Sequence, residues 1–172
     1  MEKKMNLMKD VLWLVIHCSY TKASQKVTVE DLDNWHQAKG WACCGYHWVI
    51  YQDGSIHSGR AEKFAGAHVL HYNQHAIGVC YIGGMDDCGR DADTRTPEQK
   101  AALWFLLKEL KQAYPQARIV GHRDMPKQRL PIELVQDWLS RDDIRQSQFS
   151  RVAKTCPLFD ARTEYASLNS DL

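Results

Sequence analysis

The longest uninterrupted apolar run in the chain, Val11-Leu-Trp-Leu-Val-Ile16, lies between Asp10 and His17. A short continuous run rich in β-branched and aromatic residues is the pattern of a central strand covered on both faces. Alternation along it puts Val11, Trp13, Val15 and His17 on one side and Leu12, Leu14 and Ile16 on the other. The period then changes to helical. Thr28-Val-Glu-Asp supplies an N-cap and early acids, Val29, Leu32 and Trp35 recur at helical spacing, and Gly40 is the stop. Tyr46-His-Trp-Val-Ile-Tyr, the turn Asp53-Gly54 and Ser55-Ile-His together predict a β-hairpin.

Residues 59–75 are polar and histidine-bearing and read as a long loop with a helical turn, after which Ala76–Ile82 returns to strand and closes at Gly83-Gly84. Thr96-Pro97-Glu98 opens a second helix, and its stripe of Leu103, Leu106, Leu107 and Leu110 runs out near Tyr114-Pro115. Arg118-Ile-Val-Gly is a short strand with His122 just beyond its end, and two further helices are expected over Ile132–Leu139 and Asp160–Leu168. No internal repeat or linker-like tract interrupts this order. The elements predict one α/β domain over residues 1–172, a mixed central β-sheet flanked by helices.

Composition narrows the function classes. The 172 residues are 44% hydrophobic and 25% charged, enough chain to bury a core without disulfides. Twenty-two basic against 21 acidic residues leave a net charge of +1, which gives no general footprint for nucleic acid or an anionic membrane. The six-residue apolar run is far below the roughly 20 needed to cross a bilayer. It also meets His17 with no small-residue cleavage site, so a chain made in the cytoplasm without a signal peptide is expected. The six cysteines then read as free thiols, one of them a candidate metal ligand.

Candidate chemistry collects where strands end. His17 terminates the first strand, His122 follows a later one, and Cys156 lies in Lys154-Thr-Cys-Pro. Two imidazoles and a thiolate suit zinc, and three protein ligands leave a fourth position for water. The spacing, however, is not a local ligand pattern, and any one of the eight histidines taken alone reads more readily as a surface or hydrogen-bonded residue than as a ligand. Tyr46 alone reads as a half-buried strand aromatic, Lys154 as a solvated lysine and Cys156 as a buried thiol.

Six short motifs in one order change that balance. They are His17 ending an apolar strand, Gly45-Tyr46-His47-Trp48, Gly66-Ala67-His68, Asn73 to Gly78, Gly121-His122-Arg123-Asp124 and Lys154-Thr-Cys-Pro. Together they resemble the zinc-dependent N-acetylmuramoyl-L-alanine amidases of type 2, the family of phage lysozymes and peptidoglycan recognition proteins. The resemblance covers roughly residues 11–125 and 152–160. It implies the family's mixed sheet and one zinc per chain on His17, His122 and Cys156. It also implies Tyr46 and Lys154 as active-site groups and His68 as a residue lining the groove, in contact with substrate. The substrate implied is peptidoglycan or a muropeptide, cut between N-acetylmuramic acid and L-alanine by a monomer that acts on the wall after release. The alternative is a module that binds muropeptide without cutting it, a reading that loss of the cysteine ligand would favour.

One departure from the small phage enzymes is plain: 34 positions separate His122 from Cys156. An inserted helical segment over about 126–151 accounts for it, with Ile132, Leu134, Val135, Trp138 and Leu139 as an apolar stripe. Its flanks suggest that it borders the groove, shapes substrate choice and is dispensable for the fold. It also brings Lys127 forward as a rival to Lys154, whose spacing to the cysteine is the one retained.

Overall fold

The computed structural model describes residues 5–140 and 155–170. Its strands are β1 (Trp13–Cys18), β2 (Thr21–Lys22), β3 (Trp48–Ile50), β4 (Ile56–Ser58), β5 (Ala76–Tyr81), β6 (Gly84–Met85) and β7 (Arg118–Gly121). Its helices are α1 (Val29–Ala38), α2 (Pro97–Ala113), α3 (Ile132–Ser140), α4 (Ala161–Glu164) and α5 (Ala166–Asn169). A five-stranded sheet runs in the order β4-β3-β5-β1-β7, and β2 with β6 forms a separate pair. Every pairing in the large sheet is parallel except that of β3 with β4, the hairpin that Asp53-Gly54 predicts.

β1 sits between two parallel neighbours, and each of its six residues is buried. The predicted alternation holds over Trp13–Ile16 and reverses just before the strand, where Val11 packs on the Leu14 core and Leu12 on the Trp13 core. Leu14 and Ile16 enter one core with Ile77, Val79 and the four leucines of the α2 stripe. Trp13 and Val15 enter the opposite core with Val69, Tyr72 and Val120. Both long helices start as their sequences predict, with a capping box at Thr28/Asp31 and another at Thr96/Gln99. The amide of Gln99 also donates to the carbonyls of Ile50 and Ile82, which ties the start of α2 to β3 and the end of β5.

The long loop expected over 59–75 is present with its helical turn, a 3-10 turn at Asn73–His75, and it is packed: Val69 and Tyr72 are core residues, and Tyr72 Oη donates to the Gln128 carbonyl while accepting from Leu130 N–H. Two other expectations are corrected. The single helix expected over 160–168 is broken into α4 and α5 at Tyr165, whose ring is buried against Phe159 and Trp104. The second concerns 126–151, of which 141–151 lies outside the described residues.

In the described part, α3 is packed onto the sheet, and none of its residues lines the cleft beside His17, His122 and Cys156. Val135 and Leu139 are buried against Trp13, Val15 and Val120, and Trp138 Nε1 donates to the carbonyl of Asp124. Leu134, assigned to the apolar stripe, is 54% exposed. The sheet face beneath α3 is lined by Trp13 and Val15, which need an apolar cover, so removing the segment would open a core. Leu139→Ala is therefore expected to cost about 3 kcal/mol in urea unfolding. Leu134→Ala should stay within about 0.5 kcal/mol of the parent.

Candidate metal centre and cleft

Parallel register sets the first half of the site. Ile16 of β1 is paired with Gly121 of β7, so the next residues stand side by side: His17, still paired with Cys80 of β5, and His122, just past the end of β7. Their rings lie 4.6 Å apart between centroids. A turn of 3-10 helix over His122–Asp124 fixes His122, and the Asp124 carboxylate accepts from Gly121 N–H at 2.8 Å.

Cys156 arrives from the far end of the chain. Arg123 N–H donates to the Cys156 carbonyl at 2.9 Å, and Tyr81 Oη donates to that of Pro157 at 2.7 Å. Cys18 N–H points at the Cys156 sulfur at 3.2 Å. Among the described residues, one ligand atom each from His17, His122 and Cys156 lie within 4.8 Å of one another.

The donor set fits a zinc ion. It has two imidazoles, a thiol with an N–H donor already aimed at its sulfur, and an open side. That side is a cleft of about 460 Å³ whose wall includes Tyr46, Lys39, Tyr20, Asp91 and Thr155. The hydrogen bond shared with Cys18, together with burial, pushes the Cys156 thiol well above its ordinary pKa. Ionising it calls for a cation alongside.

Tyr46 packs its ring 5.2 Å from His17, and burial raises its phenol well above 10, so it stays protonated. His68 is elsewhere. It is 9% exposed, both its ring nitrogens are hydrogen-bonded inside the protein, and it is not in the wall of the cleft. Groove lining is thus not its place. Lys154 lies outside the described residues, although its neighbour Thr155 lines the cleft. Lys127 is not part of that wall. All six cysteines carry free thiols.

Sequence reasoning missed the opposite wall. Asp91 accepts from Thr155 Oγ1 at 2.6 Å and from the hydroxyl of Tyr20, holding together segments 64 and 71 positions away in the chain. Lys39, the C-cap of α1, also reaches the cleft. Nothing local marks these residues: Asp91 sits in an ordinary acidic turn, and Lys39 precedes the glycine that ends a helix.

With this geometry in view, relatives can be compared. Residues 7–157 match the model of the N-acetylmuramoyl-L-alanine amidase family, and the chain belongs to that family. It is a peptidoglycan amidase, an enzyme hydrolysing the amide between N-acetylmuramic acid and L-alanine. It is 38% identical over 129 residues to the endolysin of Enterobacteria phage K11, covering 75% of this chain and 85% of that one. The fold is similar to N-acetylmuramoyl-L-alanine amidase LysC from Clostridium intestinale, with a TM-score of 0.64 and 25% identity over 81% of this chain and 91% of that one. Drosophila PGRP-LB shares the fold at a TM-score of 0.65 and 23% identity, covering 97% of this chain and 86% of that one. No helix among the described residues is long and apolar enough to cross a membrane.

The shelf beside the cleft is built on a neutral histidine. His36 Nδ1 accepts from Gly45 N–H at 2.9 Å, one residue before Tyr46, and its ring lies 5.5 Å from that of Tyr46. Burial, assisted by Lys39 and Arg60, lowers the His36 pKa to about 4. Burial lowers that of His47 as well. Below pH 6.5 the unfolded chain takes up protons that the folded one refuses, so stability falls as pH falls from 6.5 towards 4. His36 alone should remove about 1.5 kcal/mol between pH 6.5 and 5. Urea unfolding at the two pH values checks this, and His36→Gln should flatten the slope.

Proposed function

We propose that the amidase acts through one zinc ion held by His17, His122 and Cys156, and that the chain works as a phage-type endolysin. The observation that carries this reading is the convergence of three zinc-compatible donors, from distant parts of the chain, beside an open cleft. The endolysin assignment rests on the K11 relative, which covers three quarters of this chain. The partner is then peptidoglycan or a muropeptide, met at the wall after release, and the working unit is a monomer.

Zinc bound there would supply Lewis acidity toward the scissile carbonyl and a nucleophilic water at neutral pH. The chain does the rest. The cleft receives the lactyl carbonyl with its amide carbon toward the ligand cluster. Tyr46, kept protonated, donates a hydrogen bond to the oxygen on which negative charge develops. Lys154 supplies positive charge to that oxygen, a role its place in the sequence two residues before Cys156 suggests. Asp91 holds Tyr20 and Thr155 so that the outer wall keeps its shape. Retention of Cys156 favours cutting over binding alone.

The test joins metal analysis to digestion of purified sacculi, scored by new L-alanine amino termini. His122→Ala and Cys156→Ala should lose both zinc and activity, and chelation should inactivate the parent until zinc is returned. Cys156→Ala with stoichiometric zinc and normal turnover would sink the ligand set. Tyr46→Phe and Lys154→Ala should keep zinc and lose about 10²–10³ in kcat. Lys127→Ala should be nearly silent, and the reverse pattern for the two lysines would reassign the cation.

A further inference from the structure

We infer that His68 is a positioning residue, which accepts the Nε2–H of His17 and thereby commits His17 Nδ1 to the metal centre. The inference rests on the zinc reading above and assigns a task to a buried histidine which that reading leaves without one. Two distances carry it: His68 Nε2 lies 3.1 Å from the Ala76 carbonyl, and His68 Nδ1 lies 3.0 Å from His17 Nε2.

A carbonyl oxygen has no hydrogen to give, so His68 Nε2 must bear the proton of that first bond. A second proton on Nδ1 would place a cation in a seat that is 9% exposed and whose two ring partners are a carbonyl and an imidazole, neither of which balances a charge. His68 Nδ1 therefore keeps its lone pair, and the proton of the 3.0 Å contact belongs to His17 Nε2. With its proton on Nε2, neutral His17 carries its lone pair on Nδ1, the nitrogen that can then serve as a ligand.

The surroundings hold the His68 ring in place. A Cβ added at Gly66 would lie 2.4 Å from His68 Cδ2, and one added at Gly78 would lie 2.7 Å from the same ring, so both glycines are spaces that this imidazole fills. Asn73 Oδ1 accepts from the backbone N–H groups of His68 and Val69 at 2.8 and 2.9 Å. On its other side stands His47, itself fixed because Nδ1 accepts from Gly78 N–H and Nε2 donates to the Phe64 carbonyl. The Gly66-Ala-His and Asn73-to-Gly78 motifs thus build one seat for one ring. A carbonyl–imidazole–imidazole chain of this kind orients a metal-ligating histidine and sets its tautomer, and losing such a partner costs about 10–100-fold in metal affinity.

Nitrogen-15 NMR of the metal-free parent reads the tautomers directly: His17 and His68 should both carry their proton on Nε2. Zinc affinity by chelator competition reads the consequence. His68→Phe should bind zinc about 10–100-fold more weakly. His68→Gln, whose amide can accept from His17 and donate to Ala76, should recover most of the loss at a similar Tm. The inference is overturned if metal-free His17 is protonated on Nδ1, or if His68→Phe binds zinc like the parent. A raised KM in His68→Gln with unchanged zinc affinity and tautomer would assign the residue to substrate instead, and would overturn it too. Failure of the zinc reading is distinguishable, because the parent itself would then hold no zinc whatever the nitrogen shifts show. Should the Phe variant not fold, the parent's nitrogen shifts still decide.

Discussion

β1 is hydrogen-bonded along both edges, to β5 and β7, and buried on both faces, between the α2 leucines and the layer containing Tyr72 and α3. A strand held on four sides cannot slip, because a shift of one residue would exchange Trp13 and Val15 with Leu14 and Ile16 and unmake both cores. Everything chemical follows from that rigidity. His17 stands at the end of the strand, and the register with β7 sets His122 beside it. Two ligands are in this way fixed by main-chain hydrogen bonds many residues long, not by the local stiffness of a loop.

Around this frame the protein keeps its histidines neutral by burial. His36, His47 and His68 have lowered pKa values, and in each case burial is the leading cause. Neutral imidazoles both accept and donate, so each can bridge two groups that a cation could not serve. His36 accepts from the backbone ahead of Tyr46, His47 joins Gly78 to Phe64, and His68 joins Ala76 to His17. The same desolvation keeps Tyr46 protonated, and the hydrogen bond shared with Cys18, joined by burial, makes the Cys156 thiol reluctant to ionise. The site is thus matched to a cation: a dry floor of neutral donors gains most from a positive charge placed among them.

The segment after His122 shows how a local pattern can mislead about global place. Its amphipathic stripe is visible in the sequence, yet position between two active-site motifs suggests a groove wall, whereas α3 closes the second face of the sheet. The deciding fact is an unmet demand elsewhere. Trp13, Val15 and Val120 present apolar surface on a face that α2 does not reach, and α3 covers it. Tyr72 stitches the same segment to the 59–75 loop by bonding Gln128 and Leu130, which is why that loop is packed despite its polar composition.

Sequence alone determined what depends on period, caps and turn chemistry. The apolar run, its alternation over Trp13–Ile16, the two helix N-caps, the Asp53-Gly54 hairpin and the leucine stripe of α2 were all legible, because each is written in neighbouring residues. His17, His122 and Cys156 were legible as donors by type and by their ordered motifs. Their meeting was implied by the resemblance alone, since no local rule brings together residues 105 and 34 positions apart. Tertiary structure effects it, through strand register for the two histidines and through the Arg123 and Cys18 N–H groups for Cys156. It decided the enlistment of Asp91 and Lys39 in the cleft wall, and the removal of His68 from the groove to a seat behind His17. The reason is common to all of these. Hydrogen-bond partners and burial are properties of the packed chain, and a side chain's chemistry is settled by what stands next to it in space.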